Sequence, residues 1–353
     1  MNITTTSDTL PRVSIIIPVR NEERHIGRML REVLGQDYPS ERMEVLVIDG
    51  ASDDGTRDVI LGVAAEVPDR SLQVLHNERG IVPVSLNIGL ATARGDVVLR
   101  MDAHTEYADD YVRRCIEVLL RTGADNVGGP VRTRAELPVQ CAIAAAFHSP
   151  FSAGGARFHD VEAAGDVDTV PYGCWWRQRL LDLGGFDEEL VRNQDDELNL
   201  RIIRTGGRVW LDPTIRSWYH PRTTLGGLFR QYLQYGYWKV RVIRRHGQPA
   251  SIRHLVPALF VLGLLLGAVV GAFSPLLLQV WLGALLAYFI MLIGFSVATS
   301  LRSDLSLFPL LLVVFPVFHI SYGLGFLTAA VREVFISSSS KARASRMFTT
   351  LSR

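Results

Sequence analysis

Two stretches decide the fold: Val13-Ser14-Ile15-Ile16-Ile17-Pro18-Val19-Arg20-Asn21-Glu22-Glu23 and Glu44-Val45-Leu46-Val47-Ile48-Asp49-Gly50-Ala51-Ser52-Asp53-Asp54-Gly55-Thr56. Val13–Pro18 is short, β-branched and closed by proline, the signature of a strand buried on both faces. A helical pattern follows, with Ile26, Met29, Leu30, Val33 and Leu34 on one side. The run Glu44–Asp49 ends in turn and N-cap residues that lead into a helix over Arg57–Ala65. Further strands are predicted over Leu72–His76 and Asp96–Met101, with a helix over Val84–Ala93 between them. Strands alternating with helices specify a mostly parallel, Rossmann-like α/β sheet, whose ligands lie at the carboxyl ends of the strands.

Beyond residue 106 the pattern loosens. It predicts helices over 109–122, Arg177–Leu183 and Asp195–Thr205, strands near Asn126–Val131 and Arg208–Leu211, and a Gly- and Ala-rich segment over 147–170. Thr224–Arg245 reads as a helix with aromatic residues on several faces and a basic end. From Leu255 to Val331 the only formally charged side chains are Arg302 and Asp304. The first 47 of these residues, Leu255–Leu301, carry no charge. As one helix they would measure roughly 70 Å, against about 30 Å of bilayer hydrocarbon, so the chain must turn back. Ser274-Pro275 is the natural break, giving spans over Leu255–Phe273 and Leu276–Thr299. Arg241, Arg244, Arg245 and Arg253 place the entry on the cytoplasmic side.

The third stretch, Leu305–Val331, contains Pro309 and Pro316. Three spans are the preferred arrangement, but they would put Arg332, Lys341, Arg343, Arg346 and Arg353 outside, against the positive-inside rule. The alternative is a re-entrant or interfacial third stretch. The expected organisation is a disordered N-terminus (1–11), a catalytic α/β domain (12–223), amphipathic interfacial helices (224–254), a transmembrane domain of two to three spans (255–331) and a basic tail (332–353).

Lys+Arg 37 against Asp+Glu 36 gives a net charge of +1, which argues against a nucleic-acid partner. Cys115, Cys141 and Cys174 are too few and too scattered for a disulfide framework. Val13–Val19 is too short for a signal-peptide core. These features place the soluble domain in the cytoplasm, on the inner membrane of a multi-pass protein. G-x-x-x-x-G-K-[ST], G-x-G-x-x-G after the first strand, and G-x-S-x-G are all absent, which removes P-loop, dinucleotide and simple serine-hydrolase readings.

Carboxylates at strand ends remain. Asp102 and His104 follow the strand Asp96–Met101, and residues i and i+2 of extended chain point the same way, so both can converge on one ion. A carboxylate with an imidazole suits Mn²⁺ or a similar divalent ion; a strand-end cap is the alternative. Glu22 and Asp49 lie at the ends of the first two strands, where a nucleoside would sit. Asp195, Asp196 and Glu197 open a helix, either complementing its dipole or supplying a general base. Gln231-Tyr232-Leu233-Gln234-Tyr235-Gly236-Tyr237-Trp238-Lys239 is either an interfacial aromatic belt or a surface for sugar stacking.

Taken together, VSIIIPVRNEE (13–23), VIDGASDDGT (47–56), NIGLATARG (87–95), RMDAHT (100–105), GGFDEELVRNQDDELNLR (184–201) and QYLQYGYWK (231–239) resemble the family 2 inverting glycosyltransferases of GT-A fold. The resemblance covers about residues 12–240 and is strongest to the succinoglycan-type branch that acts on polyprenyl-linked sugars. It implies that Pro18, Arg20, Glu22, Asp49 and Asp102 border the nucleotide-sugar, with Asp49 contacting its base. It implies that Asp102 and His104 replace the family's metal-binding Asp-x-Asp, with Mn²⁺ or Mg²⁺ as cofactor and His220 as a further ligand. Asp195 takes the place of the catalytic base, with Asp196 as the alternative. Gln234 and Trp238 resemble the ends of a Q-x-x-R-W motif that contacts acceptor or diphosphate, although Tyr237 stands where the motif has Arg. The implied partners are a nucleotide-sugar donor, a lipid-linked polyprenyl saccharide and the membrane. The alternatives are transfer to polyprenyl phosphate itself and a non-catalytic sugar-nucleotide-binding membrane protein.

Overall fold

The computed structural model describes residues 10–335. The start of the expected N-terminal segment and the tail carrying Lys341, Arg343, Arg346 and Arg353 lie outside the described residues. In chain order the first elements are β1 (Val13–Val19), α1 (Ile26–Leu34), β2 (Met43–Asp49), α2 (Thr56–Glu66), β3 (Leu72–His76), α3 (Val82–Thr92), β4 (Val97–Arg100), β5 (Thr105–Tyr107), α4 (Tyr111–Thr122), β6 (Asn126–Gly128) and β7 (Val131–Thr133). There follow α5 (Pro138–Phe147), α6 (Pro150–Ala153), β8 (Gly165–Asp166), β9 (Cys174–Trp176), α7 (Arg177–Asp182), α8 (Gln194–Arg204), β10 (Val209–Leu211), β11 (Ser217–Tyr219), α9 (Leu225–His246), α10 (Val256–Gly271), α11 (Pro275–Arg302) and α12 (Phe308–Phe335).

The chain divides into two compact units. The first comprises the residues up to Arg132 together with Asp160–His220. Its sheet has the order β3-β2-β1-β4-β9-β6-β10-β8. The half β3-β2-β1-β4 is parallel, with Val19 paired to Asp49 and Ile16 to Arg100. This register brings the carboxyl ends of β1, β2 and β4 together. The apolar runs are buried on both faces: Ile15, Ile16, Ile17, Leu46, Val47, Ile48 and Leu99 have no measurable exposure. β9 enters antiparallel between β4 and β6, so the sheet is mixed beyond its parallel half. At Gly129 an added Cβ would lie 1.8 Å from the Ile215 carbonyl oxygen, so glycine is required where this backbone crosses the approach to β11.

The second unit comprises Thr133–His159 and the residues from Pro221 onward. Sequence order suggested that 133–159 belongs with the α/β sheet. Its apolar face, Ala142, Ile143 and Ala146, instead joins Leu228, Leu292, Leu311, Val314, Phe315 and Phe318 in one core. Helices α9 and α12 pack backbone to backbone through glycines. A Cβ at Gly236 would lie 2.0 Å from the Tyr322 carbonyl oxygen, and one at Gly325 would lie 2.0 Å from that of Leu233. Among the described residues, three helical stretches are long and apolar enough to cross a membrane: Ile252–Gly271, Pro275–Arg302 and Leu305–Glu333. The first two leave most of their leucines exposed, as lipid-facing helices do, whereas the third is the most enclosed by protein.

Candidate active site

The loops that leave β1 and β2 are tied to each other by side-chain to backbone hydrogen bonds. The Asn21 amide donates to Ser52 Oγ at 2.8 Å, the Asp53 amide donates to Asn21 Oδ1 at 2.9 Å, and the Glu22 amide donates to Thr56 Oγ1 at 2.7 Å. Asn21 and Ala51 both take left-handed backbone conformations, with φ of 53° and 55°, which turns each loop sharply at the strand end. Asn tolerates this region; Ala adopts it only where its surroundings hold it. Pro18 pairs in register with Ile48, directly before these turns. Arg20 is exposed and donates to the Gly80 carbonyl at 3.3 Å. Asp49 is buried and accepts from the Ser52 amide at 3.1 Å, with His76 Nδ1 4.0 Å away. The proposed nucleotide-bordering residues from β1 and β2 thus share one edge of the sheet.

The end of β4 supplies the second part. Asp102 is fixed from two sides: its amide donates to the Tyr107 hydroxyl at 2.7 Å, and its carboxylate receives a fork from Arg100, Nε to Oδ1 at 2.8 Å and Nη2 to Oδ2 at 3.0 Å. The third Arg100 nitrogen, Nη1, donates to Asp195 Oδ1 at 2.6 Å. One arginine therefore joins the strand-end aspartate to the first turn of α8. Burial works against the Arg100 charge, but Asp102 and Asp195 outweigh it and raise its pKa, so the guanidinium stays charged. The Tyr107 hydroxyl is pushed well up, chiefly by burial and also by the neighbouring Tyr172 and Asp102, and remains neutral.

The three adjacent acids of α8 separate by helical geometry. Glu197 is buried and forms a two-pronged ion pair with Arg201, Nε to Oε1 at 2.8 Å and Nη2 to Oε2 at 2.7 Å. Arg201 also donates to the Leu183 and Gly185 carbonyls, so this pair fixes the loop before the helix. Asp195 retains 27% of its side-chain exposure. Its pKa rises to about 6: burial is the main cause, Asp102 and Asp196 add to it, and Arg100 opposes it. A carboxylate in that condition is a competent proton acceptor near neutral pH. Asn193, which caps the helix, has φ of 62° and turns the chain into it.

His104 lies with its Nδ1 3.6 Å from Glu22, and it is about half exposed. His220 instead bonds Glu106, Nε2 to Oε1 at 2.9 Å. Among the described residues no three His, Cys, Asp or Glu side chains come together as an ion site. His220 is therefore not assembled with Asp102 and His104 as a third donor, because Glu106 engages it on the β5–β11 pair. The donor chemistry of Asp102 and His104 fits Mn²⁺ or Mg²⁺: the forked carboxylate keeps lone pairs, and His104 is accessible.

Gln234 and Trp238 belong to the second unit and are internal, with 0% and 2% exposure. The Trp238 ring packs edge-on to Tyr237 and carries the Arg241 guanidinium 5.0 Å above its centroid. Both side chains therefore face the interior of the second unit, with the indole held by Tyr237 and Arg241. Arg100, by contrast, went unnoticed in the sequence. Its signal was an arginine ending an otherwise apolar buried strand, two residues before Asp102.

Residues 14–179 match the family model described as Glycosyl transferase family 2. The chain is 32% identical to the succinoglycan biosynthesis protein ExoA of Rhizobium meliloti over 328 residues, covering 91% of this chain and 96% of that one. It is 30% identical to the dolichyl N-acetyl-alpha-D-glucosaminyl phosphate 3-beta-D-2,3-diacetamido-2,3-dideoxy-beta-D-glucuronosyltransferase of Methanococcus voltae, covering 66% of this chain and 74% of that one. Among solved structures, the mannosyltransferase PcManGT from Pyrobaculum calidifontis, in complex with GDP-Man and Mn²⁺, aligns with a TM-score of 0.60 at 21% identity. That alignment covers 93% of this chain and 88% of the other, and shows that the two share a fold.

Proposed function

The chain belongs to glycosyl transferase family 2 and is a glycosyltransferase, and from that premise we propose that it transfers a sugar, with inversion, from a nucleotide-sugar to a hydroxyl group of a lipid-linked saccharide. The observation that carries this reading is the position of Asp195: a partly exposed carboxylate with a pKa of about 6, joined through Arg100 to the strand-end Asp102. In the proposed mechanism the loops after β1 and β2 hold the nucleotide, with Asp49 beside the base and Arg20 and Glu22 at the border of the donor. Asp102 and His104 would hold Mn²⁺ or Mg²⁺, which supplies Lewis-acid stabilisation of the departing diphosphate. Asp195 accepts the proton of the attacking hydroxyl, and Asp196 is the neighbouring alternative.

Three supporting facts bear on the acceptor. ExoA acts in succinoglycan biosynthesis and the Methanococcus relative acts on a dolichyl-linked substrate, as their names state. The helices α10 and α11 expose apolar side chains along their length, which fits a cytoplasmic-membrane anchor that holds the enzyme beside lipid-borne sugars. The donor is proposed to be a UDP-sugar. Transfer to polyprenyl phosphate is the second reading: the undecaprenyl-phosphate 4-deoxy-4-formamido-L-arabinose transferase of Aeromonas hydrophila is 33% identical over 123 residues, covering 35% of this chain and 37% of that one. An ionised phosphate needs no base, so the elevated pKa of Asp195 favours a hydroxyl acceptor.

The test is a screen of labelled nucleotide-sugars with the purified full chain in lipid nanodiscs, with Mn²⁺ or Mg²⁺ and a membrane lipid extract as acceptor. A labelled saccharide lipid is expected. Label on bare polyprenyl phosphate would favour the second reading, and donor binding without any turnover would defeat both in favour of a non-catalytic sugar-nucleotide-binding protein.

A further inference from the structure

Arg100 lies at the end of β4, with only 7% of its side chain exposed, and its guanidinium is divided between two carboxylates: two nitrogens on Asp102 and one on Asp195. A buried guanidinium must be paired, and its planar fork fixes the direction of whatever it binds in a way that an ammonium cannot. The backbone of the arginine is itself held in the sheet. Its amide donates to the Gly173 carbonyl at 3.2 Å, and its Cα pairs in register with Ile16 of β1. Asp195 has no comparable anchor in the sheet: it sits in the first turn of α8, after an Asn193 with left-handed backbone. A rigid strand thus reaches a helix terminus through one side chain.

We infer that Arg100 is a positioning residue that sets the geometry of Asp195 relative to the donor-side Asp102, so that base and leaving group are held in one frame before the acceptor arrives. This rests on the reading of Asp195 as the base given above. Arg100 touches neither substrate in this role; it acts through Asp195. Removing the guanidinium takes away the Nη1 bond and leaves Asp195 free to adopt other side-chain directions, and misplacing a reacting group by about 1 Å can cost roughly 10²-fold in rate. The effect must then disappear when Asp195 is already neutral and unable to take the proton, because an interaction that acts only through a residue contributes nothing once that residue is disabled.

The experiment is a four-membered cycle in the full chain: wild type, Arg100→Met, Asp195→Asn and the double variant, with Arg100→Lys as a fifth protein. Each is purified in nanodiscs, checked by circular dichroism and thermal unfolding, and assayed for kcat at saturating donor and acceptor. Arg100→Met is expected to lower kcat by about 10²-fold, and the double variant is expected to be no slower than Asp195→Asn alone. Arg100→Lys, which keeps the buried charge but gives up the fork, is expected to fall between wild type and Arg100→Met. If Asp195→Asn keeps full activity, the base assignment falls, and this inference with it. If Asp195→Asn is inactive while Arg100→Met stays within about twofold of wild type, or while the two losses multiply, the base assignment survives and the role of Arg100 is overturned. Should Arg100→Met fail to fold, Arg100→Lys decides alone: a kcat equal to wild type overturns the positioning role.

Discussion

Arg100 Nη1 donates to Asp195 Oδ1 at 2.6 Å, across 95 positions of sequence, and the acceptor carboxylate still has a pKa near 6. Burial and the charges of Asp102 and Asp196 therefore outweigh the arginine. The direction has a consequence for rate. A raised pKa means that Asp195 is protonated, and so unable to accept a proton, at pH values where an ordinary aspartate is ionised. The kcat/KM for acceptor is expected to rise with pH through about 6, falling about tenfold per unit below that point. Asp195→Asn should lower transfer by about 10²–10⁴-fold while nucleotide binding persists. A pH–rate profile with no acid limb between pH 5 and 7, or an active Asn variant, would remove Asp195 from the mechanism.

Asp102 and His220 separate the metal question. Asp102 lies at the carboxyl end of β4, whereas His220 is bonded to Glu106, which Arg28 Nη2 also approaches at 3.0 Å. Asp102→Asn is expected to weaken Mn²⁺-dependent binding of nucleoside diphosphate by about 10-fold or more, while His220→Ala stays within about twofold of wild type. Isothermal titration of the diphosphate with and without Mn²⁺ measures both. Equal losses in the two variants would restore His220 as a ligand.

Gly236 shows why the aromatic segment of α9 is buried. Its missing Cβ lets α9 approach the α12 backbone, and Gly325 does the same from the other side. Gly236→Ala forces a side chain to within 2.0 Å of the Tyr322 carbonyl oxygen. The expected loss is about 1–3 kcal/mol, the usual range for overpacking, seen as a lower unfolding temperature in detergent. A variant as stable as wild type would show that α9 and α12 do not meet in this way.

Glu333, near the end of α12, pairs with Arg244 and lies 3.8 Å from Arg241, both near the end of α9. These charges lie together where the ends of α9 and α12 meet. The connection 247–255 from α9 to α10 is short, begins Gly-Gln-Pro-Ala and has no helix that could cross. The end of α12 is therefore expected on the entry side of α10, which makes α10 and α11 a two-span hairpin and leaves α12 enclosed by protein, the arrangement that also satisfies the positive-inside rule. Single cysteines at the two chain ends, labelled with an impermeant maleimide in oriented vesicles, should react from the same side. Labelling from opposite sides would establish three spans.

The parallel half of the sheet was legible because β1, β2 and β4 are apolar on both faces and end in turn residues; burial of that kind leaves a mark in every residue of the run. The apolar C-terminal helices were legible for a similar reason, since a segment long and apolar enough to cross a membrane keeps charge out of nearly its whole length. β9 was not. It is only Cys174–Trp176, and it exists because β4 and β6 hydrogen-bond it from both sides, a partnership set by residues far away in sequence. The grouping of 133–159 with the C-terminal helices escaped for a similar reason: its apolar face matched a core whose other members lie between Leu228 and Phe318.

By itself the sequence determined the α/β class, the apolar C-terminal segment, the family resemblance and the identity of the strand-end carboxylates. All of these are properties of local runs, or of ordered motifs. Only the tertiary structure decided what each charge does. It gave Glu197 to Arg201, His220 to Glu106, and both Asp102 and Asp195 to one buried guanidinium. The physical reason is that a carboxylate's role depends on burial and on which cation lies within about 3 Å, and the three adjacent acids of α8 could be told apart only when the helix turned them in different directions.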